Sequence, residues 1–221
     1  MEHHAKKAYK GVGMEGIVAT WYARNTAKSM KDFASDARRV AALVAPPASV
    51  LEVAPGPGYF AIELAKLGDY RIAGLDISKS FVKIARENAA KAGVDVKFEV
   101  GSASAMPFED NRFDFVFCRA AFKNFSEPVR ALAEMHRVLR PGGRAWIIDL
   151  RRDASLRDIA KAVGEMGLGA VDAWFTRMAF RFSLIKRAYT KAEFENVLRE
   201  TSFSSVEIEQ SAMGLDVWLG K

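Results

Sequence analysis

The chain has 221 residues, of which 50% are hydrophobic and 27% are charged. This length and composition suit a globular protein with its own core and exclude a disordered, collagen-like or coiled-coil chain. The single cysteine excludes an internal disulfide framework and a cysteine-rich zinc site, and three histidines leave little for a metal cluster, so we expect no metal.

The net charge of +6 is unevenly distributed along the chain. Residues 1–48 carry eight basic and four acidic side chains, and residues 151–191 carry nine and four. Residues 49–150 are nearly balanced, with fourteen and thirteen, whereas residues 192–221 carry two and six. The two basic segments are either solvated faces or parts of one positive face that attracts an acidic ligand.

No targeting or membrane segment is recognisable in the sequence. Residues 1–16 lack the apolar stretch of a secretory signal, and the longest uncharged stretch, residues 40–51, is interrupted by two prolines. A stretch of twelve residues is too short to cross a bilayer core of about 30 Å. We therefore expect a cytoplasmic protein without a membrane span.

Residues 1–48 are predicted to form a helical N-terminal segment, and from residue 49 to residue 150 strands alternate with helices. The predicted strands are 49–53, 70–75, 95–100, 113–118 and 144–150, and the predicted helices between them are 60–68, 79–93 and 127–140. Such alternation is typical of βαβ units in a parallel sheet, so the sequence predicts an α/β core over residues 49–150.

After residue 150 the alternation ends. Residues 151–189 contain two helix-like pieces, at about 155–166 and 170–182, which we interpret as a helical lid over the substrate. Thr190 and Glu193 then form a capping box that opens a final helix. Residues 205–210 and 215–219 predict a terminal β-hairpin, so that residues 190–221 complete the core.

The loop Ala54–Gly58, of sequence APGPG, joins the first strand to the first helix of this core. Glycines there let a ligand approach the backbone, and the start of the helix favours an anionic group. Asp76 ends the second strand, where a carboxylate accepts both hydroxyls of a ribose. The loop also satisfies the G-x-G-x-x-A fingerprint of dinucleotide-binding proteins, which leaves NAD as an alternative. The carboxylate of Glu52 inside the first strand and the lack of a substantial second domain weigh against NAD.

The successive motifs VLEVAPGPGYFAIELAKLG, LDIS, VGSASAMPFEDNRFDFVFCRA and EPVRALAEMHRVLRPGGRAWIIDL resemble class I S-adenosylmethionine-dependent methyltransferases. The likeness is greatest to the small-molecule group that includes the ubiquinone/menaquinone-biosynthesis C-methyltransferases. It covers about residues 18–150, with a weaker likeness in RAYTKAEFENVLRETSFSSVEIE. The resemblance implies a Rossmann-like, seven-stranded, mostly parallel sheet with the last strand antiparallel, and S-adenosylmethionine bound at the carboxyl ends of the strands.

The resemblance also implies which residues contact the cofactor. On the methionine side it places Glu52, Ala54, Pro55, Gly56, Gly58 and Arg119. On the nucleoside side it places Asp76 at the ribose hydroxyls and Ile77, Ser102 and Ala103 near the adenine. Tyr22 falls where many relatives close the pocket with an N-terminal tyrosine, and its alternative is a plain core aromatic.

Two positions depart from the family's pattern. Ala54 stands where the family has the first glycine of the loop, and we expect a negative φ there, because a side chain disfavours the left-handed region. Ser102 replaces the family's usual aspartate, so the adenine amino group loses a carboxylate acceptor and retains a hydroxyl.

Methyl transfer is an in-line displacement in which alignment supplies about 7–11 kcal/mol, and the sequence offers no obvious general base. Lys123 or Asn124, after the fourth strand, could orient a substrate oxygen, although a solvated loop is the alternative. Asp149, at the end of the fifth strand, faces the same rim. In the lid, Trp174 could contribute to an apolar wall, and Arg177 and Arg181 share a helix face that suits a carboxylate or phosphate. The alternative is that the lid aromatics form its own core and the arginines face solvent.

We therefore predict a methyltransferase for a small, mostly apolar organic acceptor, with an acidic group on that acceptor left open. A nucleic-acid methyltransferase is a second interpretation, disfavoured because residues 118–121 lack the Asn/Asp-Pro-Pro-aromatic signature and no Pro-Cys nucleophile is present. A third is a non-catalytic protein that binds a cofactor or an anion. The oligomeric state is not predicted.

Overall fold

The computed structural model describes residues 9–10, 13–165, 169, 174, 177–178, 180 and 184–221. The strands are β1 Ala48–Val53, β2 Tyr70–Asp76, β3 Val96–Val100, β4 Phe113–Arg119, β5 Leu139–Leu150, β6 Ser205–Gln210 and β7 Gly214–Gly220. The helices are α1 Gly16–Thr26, α2 Met30–Leu43, α3 Tyr59–Ala65, α4 Lys79–Ala92, α5 Pro128–Val138, α6 Leu156–Glu165, α7 Ile185–Arg187 and α8 Lys191–Leu198. A 3-10 turn, Phe122–Asn124, follows β4.

The strands form a seven-stranded sheet of order β3-β2-β1-β4-β5-β7-β6. The first five strands are parallel, and β7 runs antiparallel to both β5 and β6. This confirms the predicted mostly parallel sheet. The chain reverses its direction of winding between β1 and β4, and ligands of open α/β sheets bind at such a point, at the carboxyl ends of the strands.

Helices cover both faces of the sheet. On one face α2, α3 and α4 pack against strand residues such as Val50 and Phe117. On the other face α5 and α8 pack against residues such as Leu51 and Val116. Every residue of β1 is buried, as expected for a central parallel strand. The last side chains of β1 therefore lie at an edge of the sheet that helices cover on both faces.

One aromatic ring fills the space beside two glycines near the carboxyl ends of β1 and β2. A Cβ added to Gly74 in β2 would lie 2.4 Å from the Phe98 ring, and one added to Gly58 would lie 2.7 Å from it. Gly58 also has a φ of +79°, which favours glycine. The Phe98 ring thus holds the loop after β1 against the neighbouring strands.

The boundary between α5 and β5 differs from the prediction. The helix was predicted to continue through residue 140 and the strand to begin at residue 144, and both limits are wrong. The helix ends at Val138 and the strand begins at Leu139. Pro141 explains the shift, because a proline disfavours helical geometry in the residue before it. The capping box of Thr190 and Glu193 is confirmed.

The proposed division into segments 1–48, 49–150, 151–189 and 190–221 stays a prediction. The first of the two helices expected in residues 151–189 is confirmed as α6, whereas the second, expected at 170–182, lies mostly outside the described residues, and their role as a lid stays a prediction. Among the helices that the structure describes, none is long and apolar enough to cross a membrane.

The contact with Phe98 makes Gly74 intolerant of a side chain. We expect Gly74→Ala to lower the free energy of unfolding by about 1–3 kcal/mol, because a methyl group there overpacks against a buried ring. Urea denaturation measures the change. Gly164→Ala is the matched control, since nothing lies within 4 Å of its added Cβ and the residue is helical. Its stability should be unchanged or raised by up to about 1 kcal/mol. Equal effects at the two glycines would contradict this packing argument.

Candidate active site at the carboxyl ends of the strands

Two buried carboxylates lie where β1 and β2 end. Glu52 is 3% exposed, and its Oε2 accepts a hydrogen bond of 3.1 Å from the backbone N–H of Ala61 in α3. Asp76 is 6% exposed and accepts bonds of 2.9 Å from the N–H groups of Gly56 and Ser78. Asp76 therefore fastens the loop after β1 to the end of β2.

A third carboxylate approaches this pair from α2. Asp36 forms an ion pair with Arg119, and the Arg119 guanidinium also lies 3.9 Å from Asp32 and over the ring of Phe33. The acidic side of α2 thus holds Arg119 at the end of β4. We call Glu52, Asp76 and Asp36 the carboxylate cluster.

Burial raises the pKa of every member of the carboxylate cluster. It raises the pKa of Asp76 and that of Asp36 to about 6, in both cases against hydrogen bonds that favour ionisation. Burial raises the pKa of Glu52 well above its usual value, and the charges of Asp76 and Asp36 add to the effect while Arg119 opposes it. A cation placed among these groups would lower all three pKa values, so the cluster favours a positively charged ligand.

The loop Ala54–Gly58 corrects one expectation. Ala54 has a φ of +57°, so the expected negative φ is wrong. Positive φ recurs at Gly56 and Gly58, and prolines occupy the two positions between. The Ala54 N–H donates to the carbonyl of Leu75 at 2.8 Å, which fixes the strained residue to the end of β2. Left-handed backbone at a residue with a side chain costs roughly 1–2 kcal/mol and is typical of functional sites.

The other residues expected near the nucleoside lie after β2, after β3 and in α1. Ile77 is 43% exposed beside Asp76. Ser102 and Ala103 follow β3, where the Ser102 Oγ accepts a bond from the Ser104 N–H and Ala103 packs against the core. Tyr22 in α1 packs edge-on against Phe81 in α4 with 5.6 Å between ring centroids.

The candidates on the acceptor side form a buried ion pair. The Lys123 side chain is 4% exposed, and its Nζ lies 2.8 Å from Asp149 Oδ1 and donates to the carbonyl of Ala120. The other oxygen of Asp149 accepts the backbone N–H of Lys123 at 2.7 Å. The alternative of a solvated loop at Lys123 is therefore wrong. Asn124, next in the 3-10 turn, is half-buried. Its backbone carbonyl accepts a hydrogen bond of 2.7 Å from the backbone N–H of Lys10.

Sequence reasoning missed a segment that crosses this edge of the sheet, residues 9–10 and 13–15, which we call the N-terminal strap. Its first part forms an antiparallel bridge between Tyr9 and Phe125, after β4. Its second part binds the start of α4, where the Glu15 carboxylate accepts two backbone N–H groups at 3.0 Å. The strap thus spans the site from the acceptor side to the nucleoside side.

Tyr9 is the residue of the strap that interacts electrostatically with Asp76. The side chain is half-buried, and burial raises the pKa of its phenol, opposed by Arg187 and reinforced by Tyr22 and Asp76. The phenol is therefore neutral and within electrostatic range of the carboxylate cluster. A lone aromatic in a polar tail was the one signal that the sequence offered.

The predicted substrate contacts of the lid are largely untested. Trp174 is 56% exposed and Arg177 is exposed, whereas Arg181 lies outside the described residues. Their grouping around a substrate stays a prediction.

Comparison with known proteins agrees with this geometry. A family model described as a methyltransferase domain matches residues 51–147. The matched residues contain the glycine loop, two members of the carboxylate cluster and Lys123. The order of the sheet, with its antiparallel β7, also differs from the 3-2-1-4-5-6 parallel order of dinucleotide-binding folds, so the NAD alternative loses support.

Two curated relatives and one solved structure extend the match beyond residues 51–147. A demethylmenaquinone methyltransferase of Deinococcus radiodurans is 40% identical over 115 residues, which are 52% of this chain and 48% of that protein. The enzyme of the same name from Chlorobaculum tepidum is 29% identical over 164 residues, 72% of this chain and 66% of that protein. The match thus spans about half the length of the first relative and about two thirds of the second.

The solved structure is a putative S-adenosyl-L-methionine-dependent methyltransferase from Methanococcus maripaludis. It is 25% identical to this chain, and the match covers 100% of this chain and 97% of the chain in that structure. The two superpose with a TM-score of 0.73. The resemblance to class I methyltransferases and the Rossmann-like fold are confirmed.

The raised pKa of Glu52 predicts how stability depends on pH. Its pKa in the folded state exceeds its ordinary value of 4.5, so its contribution to stability is complete at low pH and is lost as the pH rises through the raised pKa. We expect the ligand-free protein to lose free energy of unfolding as the pH is raised from 4.5 toward neutrality, and Glu52→Gln to lose less. Glutamine keeps an acceptor for the Ala61 N–H but cannot ionise.

Urea denaturation across this pH range measures the slope. Glu207→Gln, which changes an exposed carboxylate of β6, should keep the wild-type slope. Parallel curves for the wild type and Glu52→Gln would show that Glu52 titrates as it does in the unfolded chain.

Proposed function

We propose that this chain transfers a methyl group from S-adenosylmethionine to a small, mostly apolar acceptor of the quinone type. The observation that carries the proposal is the carboxylate cluster beside the glycine loop of a methyltransferase domain. The names of the relatives from Deinococcus radiodurans and Chlorobaculum tepidum support the quinone-type acceptor.

The residues at the strand ends fit the proposed cofactor. Each oxygen of Asp76 accepts one backbone N–H, and an ionised carboxylate has about four acceptor sites, so capacity remains for two ribose hydroxyls. The loop Ala54–Gly58 brings bare backbone to the same edge. S-adenosylmethionine has an ammonium and a sulfonium group, and Glu52 with Asp36 provides the negative charge that such cations need.

The remaining predicted contacts complete this arrangement. Ile77, Ser102 and Ala103 would border the adenine, and Arg119 would lie on the methionine side. Tyr22 and the strap residue Tyr9 would close the pocket against water. The bound cofactor supplies an electrophilic methyl group, and the protein supplies alignment and exclusion of solvent.

On the acceptor side, Lys123 and Asn124 would orient the acceptor's oxygen. The Lys123 ammonium, held in place by Asp149, would favour the ionised form of that oxygen before the transfer, which raises the fraction of acceptor that can attack the methyl group. Neither residue has to remove a proton when the acceptor is already ionised. Trp174 remains the predicted apolar contact, and Arg177 and Arg181 the predicted contacts of an acidic group. A cytoplasmic location also stays a prediction.

Transfer of labelled methyl groups tests the proposal. The purified chain is incubated with methyl-labelled S-adenosylmethionine and a reduced, demethylated naphthoquinone with a short prenyl tail. We expect label in the naphthoquinol and release of S-adenosylhomocysteine. No label in this acceptor and no binding of the cofactor by calorimetry would exclude the proposed function.

The buried ion pair allows catalysis to be separated from stability. Lys123→Met leaves Asp149 buried without its partner, which should cost about 3–5 kcal/mol of unfolding free energy. In Lys123→Met/Asp149→Asn no charge is left unpaired, and asparagine keeps an acceptor for the backbone N–H of Lys123 or Leu150. We expect this double variant to regain most of the stability and to keep a kcat about 100-fold below wild type.

Steady-state kinetics and urea denaturation of the same preparations measure both quantities. Cofactor affinity should change little, since neither residue contacts the carboxylate cluster. A double variant with wild-type kcat would show that the pair serves only to hold the 3-10 turn against β5.

A further inference from the structure

A second pocket lies beside the N-terminal strap and contains no member of the carboxylate cluster. Its volume is about 530 Å³. The residues that line it are Lys10, Arg152, Lys186, Arg187, Ala188, Tyr189, Glu193, Asn196 and Val197. We call it the basic pocket. It is built from the strap, the turn after β5, α7 with the turn that follows it, and α8.

The lining of the basic pocket is strongly positive. Four cationic side chains and one carboxylate give the lining a net charge of 4 − 1 = +3. The carboxylate, that of Glu193, is already engaged. One of its oxygens accepts the Thr190 N–H at 2.9 Å in the capping box, and the other is paired with Arg152. An anion entering the pocket therefore meets a carboxylate whose charge is largely compensated and cations that converge from separate segments.

Specific contacts bring these cations together. Arg187 Nη1 donates to the carbonyl of Lys10 at 3.3 Å, which joins α7 to the strap. The Lys10 ammonium lies 5.8 Å from the centre of the Tyr189 ring. Tyr189 in turn packs against Phe122, so the floor of the pocket adjoins the turn that contains Lys123. A guanidinium has five N–H donors, and the bond to Lys10 leaves most of those of Arg187 for a ligand.

We propose that the basic pocket binds a phosphate or phosphate-ester group. Outside the pair of Arg152 and Glu193 the charged side chains of the lining are all cationic, and a phosphate brings up to two negative charges and several acceptor oxygens to such a lining. Arginine and lysine together suit such a group, the first through its planar fork and the second as a compact charge. The site goes beyond the proposed methyl transfer, since its residues are separate and its ligand need not be the acceptor.

The phosphate group has two sources with the same chemistry. It is either a free phosphate ester or the headgroup of a phospholipid at a membrane surface. A headgroup in this pocket would hold the strap side of the molecule against the membrane, and an acceptor dissolved in that membrane would then enter beside Lys123. This last consequence rests on the proposed function, whereas the binding of phosphate does not.

Calorimetry with inorganic phosphate and pyrophosphate at low ionic strength tests the site. The variant Lys186→Gln/Arg187→Gln removes two charges from the pocket. Its control, Lys91→Gln/Lys97→Gln, removes two charges from exposed positions in α4 and β3. We expect wild type and control to bind pyrophosphate alike and the pocket variant to bind it at least about tenfold more weakly. No binding by the wild type, or an equal loss in the control, would overturn the proposal.

Vesicles distinguish the two sources of phosphate. Retention on phosphatidylglycerol vesicles but not on phosphatidylcholine vesicles, lost in the pocket variant and kept in the control, assigns a lipid headgroup. Binding of pyrophosphate without such retention assigns a free ester. S-adenosylmethionine binding and thermal unfolding of the same variants provide the check on folding. Both should be unchanged, and a pocket variant that also lost the cofactor would overturn the assignment of a separate site. Phosphate binding by a protein that transfers no methyl group would leave this proposal standing and reject only the proposed function.

Discussion

The burial of Glu52 and Asp76 at the ends of adjacent parallel strands is the constraint on which the site depends. A buried carboxylate needs donors, and here the loop after β1 and the start of α4 supply backbone N–H groups. To deliver them the loop adopts positive φ at alternate residues, including Ala54, and Phe98 packs where Gly58 and Gly74 leave room. The loop conformation with its positive φ values thus goes together with the bond from the Gly56 N–H to Asp76, and the two glycines leave the room that the Phe98 ring fills.

The same edge of the sheet separates two kinds of charge. The carboxylate cluster lies inside, at the ends of β1 and β2 and on α2, and burial raises the pKa of its members, so it favours a cation. The basic pocket lies outside, beyond the strap, and favours an anion. The strap lies between them, and its half-buried Tyr9 interacts electrostatically with both Asp76 and Arg187. The net charge of +6 belongs to the outer surfaces, while the enclosed site is locally acidic.

Much of the architecture was predictable because it depends on local patterns. Alternating apolar strands and capped helices gave the core, and the positions of Glu52 and Asp76 at strand ends follow from chain order alone. The predicted helix end at Arg140 was wrong because the effect of Pro141 on the preceding residue outweighs the apolar periodicity of the helix. The prediction of a negative φ at Ala54 was wrong for a different reason. The bond from its N–H to Leu75 comes from another strand, and such a bond overrides the intrinsic preference of alanine.

What the sequence could not reveal are contacts between distant residues. The sequence alone suggests a lysine in a loop at position 123. The structure places the Lys123 Nζ 2.8 Å from the Oδ1 of Asp149, which lies 26 positions later in the chain. Tyr9 was interpreted as part of a tail, and only the structure shows that the strap crosses the strand ends.

The central claim is that the enclosed carboxylates bind a cationic cofactor. The most direct test counts the protons that are exchanged when S-adenosylmethionine binds at pH 6. Calorimetry in two buffers of different ionisation enthalpy gives this number. The account predicts net proton release, because a cation lowers the pKa of Asp76 and Asp36 from about 6. Binding with proton uptake, or with no proton exchange, would contradict it.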